Sequence, residues 1–301
     1  MKRVAVLLAS YNGELFIAEQ LDSIFENKGY EIHVFVSDDG STDSTRNIVE
    51  SYARGQVTLL HGPEQKCSGK NFYHLMMNVE WMDFDYIALA DQDDLWLEDK
   101  LHTMIEALDS SDADAVSSNV EAFWPDGRTM TIVKSHSQAK YDYFFESAGP
   151  GCTYIFSQTA AKVIRSHLHD NYATISKIKS HDWLFYAIVR NAKLKWKILP
   201  YITVRYRQHD NNVAGANNGI SAILSRLKAA KNGWYASDLK NITDMFEHPP
   251  HVAAASKPQS FFLLLRLIMD CRQLRRKPLD KILIVPVLLI LYFSQLVSYR
   301  T

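Results

Sequence analysis

At 301 residues with 47% hydrophobic content, the chain can bury one substantial core or a core with a smaller appendage, and its composition excludes disorder. Lysine and arginine number 33 against 34 acidic residues, so no bulk charge calls for nucleic acid as a partner. Cys67, Cys152 and Cys271 are widely separated and outside C-x-x-C spacing; neither a disulfide framework nor a zinc site is indicated, and a reducing cytosol fits.

The basic start Met1-Lys2-Arg3 followed by Val4–Ala9 imitates an export leader. Its apolar run is shorter than the roughly 7–15 residues a leader uses, and a buried first strand is the better reading. After the Asn12-Gly13 turn, Phe16, Ile17, Leu21, Ile24 and Phe25 fall at helical spacing. A second strand, Ile32–Ser37, runs into Asp38-Asp39-Gly40-Ser41-Thr42, which can cap a helix through Ile48, Val49 and Tyr52. Val57–Leu60 reads as a strand, Phe72–Val79 as a helix and Tyr86–Ala90 as a fourth strand, followed by a helix from near Leu97 with Leu101, Ile105 and Leu108 inward. This βαβα order predicts an α/β fold with a mostly parallel sheet whose ligands sit beyond the carboxyl ends of the strands. Ser10-Tyr11-Asn12, Asp38-Asp39 and Asp91-Gln92-Asp93-Asp94 each follow a strand, so the fold would gather them into one cleft.

Three aspartates within Asp91–Asp94 repel one another unless a cation sits among them. A divalent cation held by these carboxylates would offset that repulsion. Mg²⁺ and Mn²⁺ prefer such oxygen ligands.

"VAVLLASYNGE", "VFVSDDGSTDST", "SGKNFYHL" and "ALADQDDLWLEDKL" resemble the nucleotide-sugar half of the inverting family-2 glycosyltransferases, whose α/β fold is called GT-A. "GPGCTYIFS", "SHDWLFYAIV" and "YRQHDNNVAG" resemble its acceptor half. The likeness covers Lys2 to about Gly215. It implies a transferase domain over residues 1–215, with a nucleotide half 1–110 and an acceptor half 111–215, then a helical region 216–301.

The resemblance implies Asp93 as a direct Mg²⁺ or Mn²⁺ ligand, Asp91 near the ribose or the metal, and His209 near metal or diphosphate. Asp94 is left to cap the next helix. Ala9, Ser10 and Gln92 fall in the donor-binding loops, Tyr11 offers a ring face for the base, and Asp39 a carboxylate for the imide N–H of uracil or thymine. Asp38 reads equally as a cap. Glu14 lies near the nucleotide, or is a helix-start glutamate favoured by the dipole. Lys70 brings a point charge toward the diphosphate, Asn71 fixes its loop, and Arg207 adds positive charge. Inversion needs one base to take the acceptor's proton: Asp182 at the head of an amphipathic segment is the choice, with His181 its local rival and a helix cap its bland reading. Cys152 and Trp183 read as packing residues.

Residues 221–246 read as helices carrying Ile223, Leu224, Leu227, Trp234 and Leu239. From Phe261 to Thr301 seven basic residues face Asp270 and Asp280, and the apolar runs Phe261–Met269 and Ile282–Val297 flank "CRQLRRK". The second run contains Pro286 and falls short of the roughly 20 residues of a span. A helical hairpin on the inner face of the cell membrane is expected, with a cap on the domain or a homodimer interface as alternatives. The expected function is transfer of a sugar from dTDP-rhamnose or a UDP-hexose to a lipid-linked saccharide in bacterial surface-polysaccharide synthesis. The alternative is a catalytically silent sugar-nucleotide-binding or membrane scaffold protein of this fold, against which Asp93 and Asp182 together argue. A dehydrogenase is disfavoured because no G-x-G-x-x-G follows the first strand.

Overall fold

Val4–Ala9 carries no polar residue, as suits a strand covered on both faces. The computed structural model, which describes residues 1–52, 55–209, 233–256 and 260–298, buries that run within β1 (Lys2–Ser10). β1 pairs in parallel with β2 (Tyr30–Asp38) and β4 (Tyr86–Asp91), and β2 with β3 (Val57–His61). Register sets Ser10 beside Asp38, Asp38 beside His61 and Ala9 beside Asp91, so the polar segments emerge together at one edge. The connecting helices α1 (Ile17–Phe25), α2 (Thr45–Ser51) and α3 (Ser68–Asn78) follow the expected order, α3 starting a turn earlier than predicted.

The sheet continues through strands the sequence reading did not separate. β5 (Leu95–Trp96), β6 (Ala115–Phe123), β7 (Thr129–Ile132), β8 (Ile155–Ser157) and β9 (Trp196–Arg207) extend it in the order β3-β2-β1-β4-β8-β6-β9-β5, with β7 on β6. β8 runs antiparallel to both β4 and β6, while β6 and β9 are parallel, so the sheet is mixed in this half. β6 hides its nature because Ser117, Ser118 and Asn119 are buried in it. Each is satisfied by tertiary partners: Trp196 Nε1 donates to Ser117 Oγ at 3.0 Å, Ser118 Oγ meets Thr203 Oγ1 at 2.7 Å, and Asn119 Oδ1 accepts the Lys134 N–H at 2.7 Å. Pro200 in β9 falls where the β6 register shifts, between Leu199 and Ile202, the place a ladder tolerates proline. α4 (Lys100–Ser110) packs Leu101, Met104, Ile105 and Leu108 into the core formed by β1, β2 and β4, and α5 (Gln158–Asp170) follows β8.

The chain divides into two compact units that interleave along the sequence. The first comprises Met1–Ser135, Ala148–Asp170 and Ile188–Ala216; the second His136–Ser147, Asn171–Ala187 and Asn217–Thr301. The expected boundary at residue 215, and Ile223, Leu224 and Leu227 of the expected helices, lie outside the described residues.

The second unit holds most of α6 (His181–Asn191), then α7 (Trp234–Met245), α8 (Phe261–Met269) and α9 (Pro278–Ser298). Its centre is charged. Arg276 Nη1 donates to Asp142 Oδ2 at 3.1 Å, Tyr186 Oη donates to the same oxygen at 2.9 Å, and Arg276 Nη2 reaches the Ser147 carbonyl. The Arg276 N–H is held by Glu146 Oε1 at 2.6 Å, and Arg275 donates to the Phe145 carbonyl. Within "CRQLRRK", Arg275 and Arg276 face inward, because the buried Asp142 and Asp280 and the half-buried Glu146 lie with them. Among the described residues no helix is long and apolar enough to cross a membrane.

Candidate active site

The turn leaving β1 is built by polar side chains from other strand ends. Gln92 grips the Tyr11 backbone twice, its Oε1 accepting the Tyr11 N–H at 2.8 Å and its Nε2 donating to the Tyr11 carbonyl at 3.0 Å. Gly13 lies against that clasp, and a Cβ there would meet Gln92 Oε1 at 2.2 Å. Asn12 bridges to the loop after β2, donating its N–H to Ser41 Oγ and accepting the Thr42 N–H at 2.9 Å. Glu14 Oε2 accepts the Ser44 N–H at 2.9 Å, so this glutamate steadies the loop entering α2. Asn71, in the first turn of α3, donates to the Ser37 carbonyl at 2.8 Å, as expected of a loop-fixing residue.

Asp38 is internal and makes the loop: it accepts the Ser41 N–H and hydroxyl and the Ser10 hydroxyl, with Arg46 Nη1 at 3.4 Å. Ala9 and Ser10 are buried beside it. Asp39 is 2% exposed and accepts the Gln65 N–H at 3.0 Å and the Cys67 N–H at 3.1 Å. It thereby clasps the segment after β3. The Tyr11 ring is half-buried with the Lys66 ammonium 5.6 Å from its centroid. Lys70 is half-buried in the first turn of α3.

At the end of β4 the chain turns through Asp91–Asp94 into β5, which pairs antiparallel with β9, Leu95 opposite Arg205. That pairing brings the end of β9 onto the aspartates. His209 Nε2 lies 2.7 Å from Asp93 Oδ2, its ring stacked on Phe16 at 5.2 Å. Arg207 is a strut: it donates to the Asp93 carbonyl at 2.9 Å and to Glu19, and lies between Phe16 and Phe123. Its backbone N–H donates to Asp94 Oδ1 at 3.1 Å. Asp94 is thus no helix cap, since α4 begins at Lys100.

Behind the open carboxylates lies a buried group that sequence reasoning missed. Asp91, Asp94 and Cys152 bring their side-chain ligand atoms within 4.8 Å of one another. Burial, with the charges of Asp93 and Asp91 adding, pushes the Asp94 carboxyl well above its usual range. Burial also raises the Cys152 thiol, consistent with a packing cysteine. Lys100, fully buried, donates to the Cys152 carbonyl at 2.7 Å, sits over the Trp96 ring, and is brought down to about 7 by burial. No spacing marks a lysine for such a place.

A metal would be held at the front of this assembly. The Asp93 carboxylate and the His209 imidazole meet there, with Asp91 two positions before Asp93 grouped instead with Asp94 and Cys152; carboxylate and imidazole donors suit Mn²⁺ or Mg²⁺, while Asp94 and Cys152 are driven toward their neutral forms.

Asp182 belongs to the second unit, in the first turn of α6. Asp238 of α7 fixes the entry to that helix, accepting the Ser180 hydroxyl at 2.8 Å, the Ser180 N–H at 3.1 Å and the Lys179 N–H at 3.2 Å. Burial raises the Asp238 carboxyl, and the nearby Asp182 charge adds to it. His181 is buried, and burial alone takes it down to about 3. It is a poor rival base, because near neutral pH an imidazole so depressed holds no proton and takes one reluctantly. Trp183 is core: its Nε1 donates to the Tyr143 carbonyl at 3.0 Å and its ring stacks on Tyr235.

The profile described as Glycosyl transferase family 2 matches residues 5–172, more than half of the chain. The chain belongs to this family. Among its relatives, the dTDP-rhamnosyl transferase RfbG of Shigella flexneri is 37% identical over 290 residues, covering 95% of this chain and all of the relative. The UDP-Glc:alpha-D-GlcNAc-diphosphoundecaprenol beta-1,3-glucosyltransferase WfgD of Escherichia coli is 23% identical over 60% of this chain and 71% of its own. Solved glycosyltransferases share the fold. S. aureus TarS 1-349 in complex with UDP-GlcNAc superposes with a TM-score of 0.53 at 18% identity, over all of this chain and 92% of that one. The mannosyltransferase PcManGT of Pyrobaculum calidifontis, in complex with GDP-Man and Mn²⁺, gives 0.51 at 15% identity, over 97% and 86%. The family-2 transferase fold and activity expected from the sequence motifs are thereby established.

Proposed function

We propose that this family-2 glycosyltransferase is a metal-dependent, inverting enzyme that moves rhamnose from dTDP-rhamnose to a lipid-linked saccharide at the inner face of the cell membrane. The observation that carries the metal-dependent part is the approach of His209 to Asp93 at the end of β4, beside Asp91. The donor sugar follows the Shigella flexneri relative, whose identity runs the length of both chains. A lipid carrier for the acceptor follows the Escherichia coli relative's diphosphoundecaprenol substrate, and Mn²⁺ follows the mannosyltransferase complex.

In this reading Tyr11 gives the base a ring to lie on, held in place by Gln92, and Asp91 accepts from the ribose or joins the metal ligands. Lys70 supplies positive charge toward the diphosphate from the first turn of α3. When bound, the divalent cation offsets the charge that gathers on the departing diphosphate. Asp182 takes the proton of the acceptor hydroxyl as its oxygen bonds to the anomeric carbon from the face opposite the leaving group. The carbon–oxygen bond to the phosphate breaks, and the electron pair leaves with the nucleoside diphosphate.

The test is a thermal-shift screen of the purified chain against nucleotide sugars, with Mn²⁺ and with chelator. The expected result is largest stabilisation by dTDP-rhamnose, only with metal. Equal stabilisation in chelator overturns metal dependence; a larger shift with UDP-hexoses overturns the donor assignment.

A further inference from the structure

Helices α8 and α9 hide one face and leave another uncovered. α8 buries Leu264 and Leu267, yet Phe262 is 82% and Met269 76% exposed, with Leu265 on the same stripe. α9 buries Ile284, Val287, Leu288 and Leu291, while Leu279, Ile282, Pro286, Ile290 and Phe293 recur at three- and four-residue steps on its open side. The two helices touch, with Phe261 and Tyr292 rings 6.2 Å apart. Isolated exposed leucines need no explanation, but two adjoining apolar stripes do.

The charges around these stripes have one dominant sign. Arg266, Arg272 and Lys277 are exposed and Lys281 is half-buried. The acidic residues of the same segment are occupied: Asp280 is buried and lies 3.8 Å from Arg275, and Asp270 lies 3.2 Å from His251. We propose that this face seats in the headgroup–acyl boundary of an anionic lipid bilayer, Phe262, Leu265, Met269, Ile282 and Phe293 entering the apolar layer while Arg266, Arg272 and Lys277 meet lipid phosphates. A second copy of the chain fits less well, because a two-fold contact through one patch sets its basic rim against itself. Insertion without crossing agrees with the described helices, none of which is long and apolar enough to span. This deepens the reading of a lipid-linked acceptor, which explains the purpose of the contact, but the contact itself is tested without any transfer reaction.

The experiment is co-sedimentation of the full chain with sucrose-loaded vesicles of phosphatidylcholine alone or with phosphatidylglycerol, at low and high salt. The unaltered chain partitions onto the anionic vesicles, and salt weakens it. Phe262→Glu/Ile282→Glu lowers partitioning by about tenfold or more, since charge replaces inserted apolar side chains. Arg272→Glu/Lys277→Glu removes the preference for anionic lipid. These residues are exposed, and unchanged circular dichroism together with unchanged metal-dependent donor binding shows that each variant is folded. Equal partitioning of the unaltered chain and Phe262→Glu/Ile282→Glu overturns the proposal. So does a dimer in solution that this variant converts to monomer while neither binds vesicles. A loss of donor binding by the unaltered chain bears on the transferase reading alone and leaves the lipid result standing.

Discussion

His209 Nε2 and Asp93 Oδ2 stand 2.7 Å apart although 116 positions separate them, because β5 pairs with β9 and Arg207 ties the end of β9 to the Asp93 carbonyl. In the proposed reading this pair shares a cation. His209→Ala is expected to weaken Mn²⁺-dependent donor binding by about 10–100-fold, the range for removing support from a metal site, and Asp93→Asn by more. Calorimetric titration of donor with and without Mn²⁺ measures both; unaltered metal dependence in Asp93→Asn removes it from the ligand set.

Asp182→Asn should leave donor affinity unchanged and lower turnover by about 10²–10⁴-fold, the usual worth of a positioned base. Single-turnover transfer assays read it. Near-normal turnover would reassign the base.

If Asp182 is the base, Asp238 acts on it through the helix entry, where Asp238 holds the Lys179 and Ser180 N–H groups and the Ser180 hydroxyl. Asp238→Ala is expected to cost about 1–3 kcal/mol of stability by orphaning these donors, and to lower kcat with donor KM unchanged. Asp238→Asn keeps one acceptor oxygen and should restore part of kcat. A purely structural aspartate would show the stability loss with normal kcat.

Gly13→Ala places a methyl group into Gln92 Oε1. The expected cost is about 1–3 kcal/mol, with weaker donor binding as Tyr11 loses its clasp. In a Gln92→Ala background the same change should cost little, and denaturant titration of the four proteins gives the coupling.

His181 produces an acid-sensitive fold. Burial takes the imidazole down to about 3, below the ordinary 6.5 of a histidine, so between these values the unfolded chain binds the extra proton. Its neutral, buried state is without penalty above pH 6.5; stability falls as pH drops from 6.5 toward 3, by up to about 1.4 kcal/mol per pH unit from this group. His181→Phe should flatten that slope relative to the unaltered chain, as read by urea denaturation at pH 5 and pH 7. Parallel slopes would show that burial of this imidazole is not what titrates.

What could be read from the residues follows burial. β1, β2 and β4 were legible because strands hidden on both faces are written as apolar runs, and the polar segments after them were placed correctly at one edge. β6 was not, because Ser117, Ser118 and Asn119 are buried against partners up to 85 positions away, and β9 is interrupted by Pro200. Of the site, Asp91, Asp93 and His209 came from the resemblance to the family, and the contact of the last two is a tertiary event no local pattern encodes. Glu14, Asp38 and Asp39 look alike as loop acids; only the folded chain shows which amide each one holds. Lys100 and Asp238 carry no local signal, since each works on a backbone group far along the chain.

The buried contact of Arg276 with Asp142 also sets a rule for anyone trimming this polypeptide. A fragment that stops before residue 275 strips the fully buried Asp142 of Arg276, an expected loss of about 3–5 kcal/mol for a broken internal pair, and takes the half-buried Glu146's arginine partners as well. The catalytic motifs end long before that residue, yet the shortest expressible version of the protein does not.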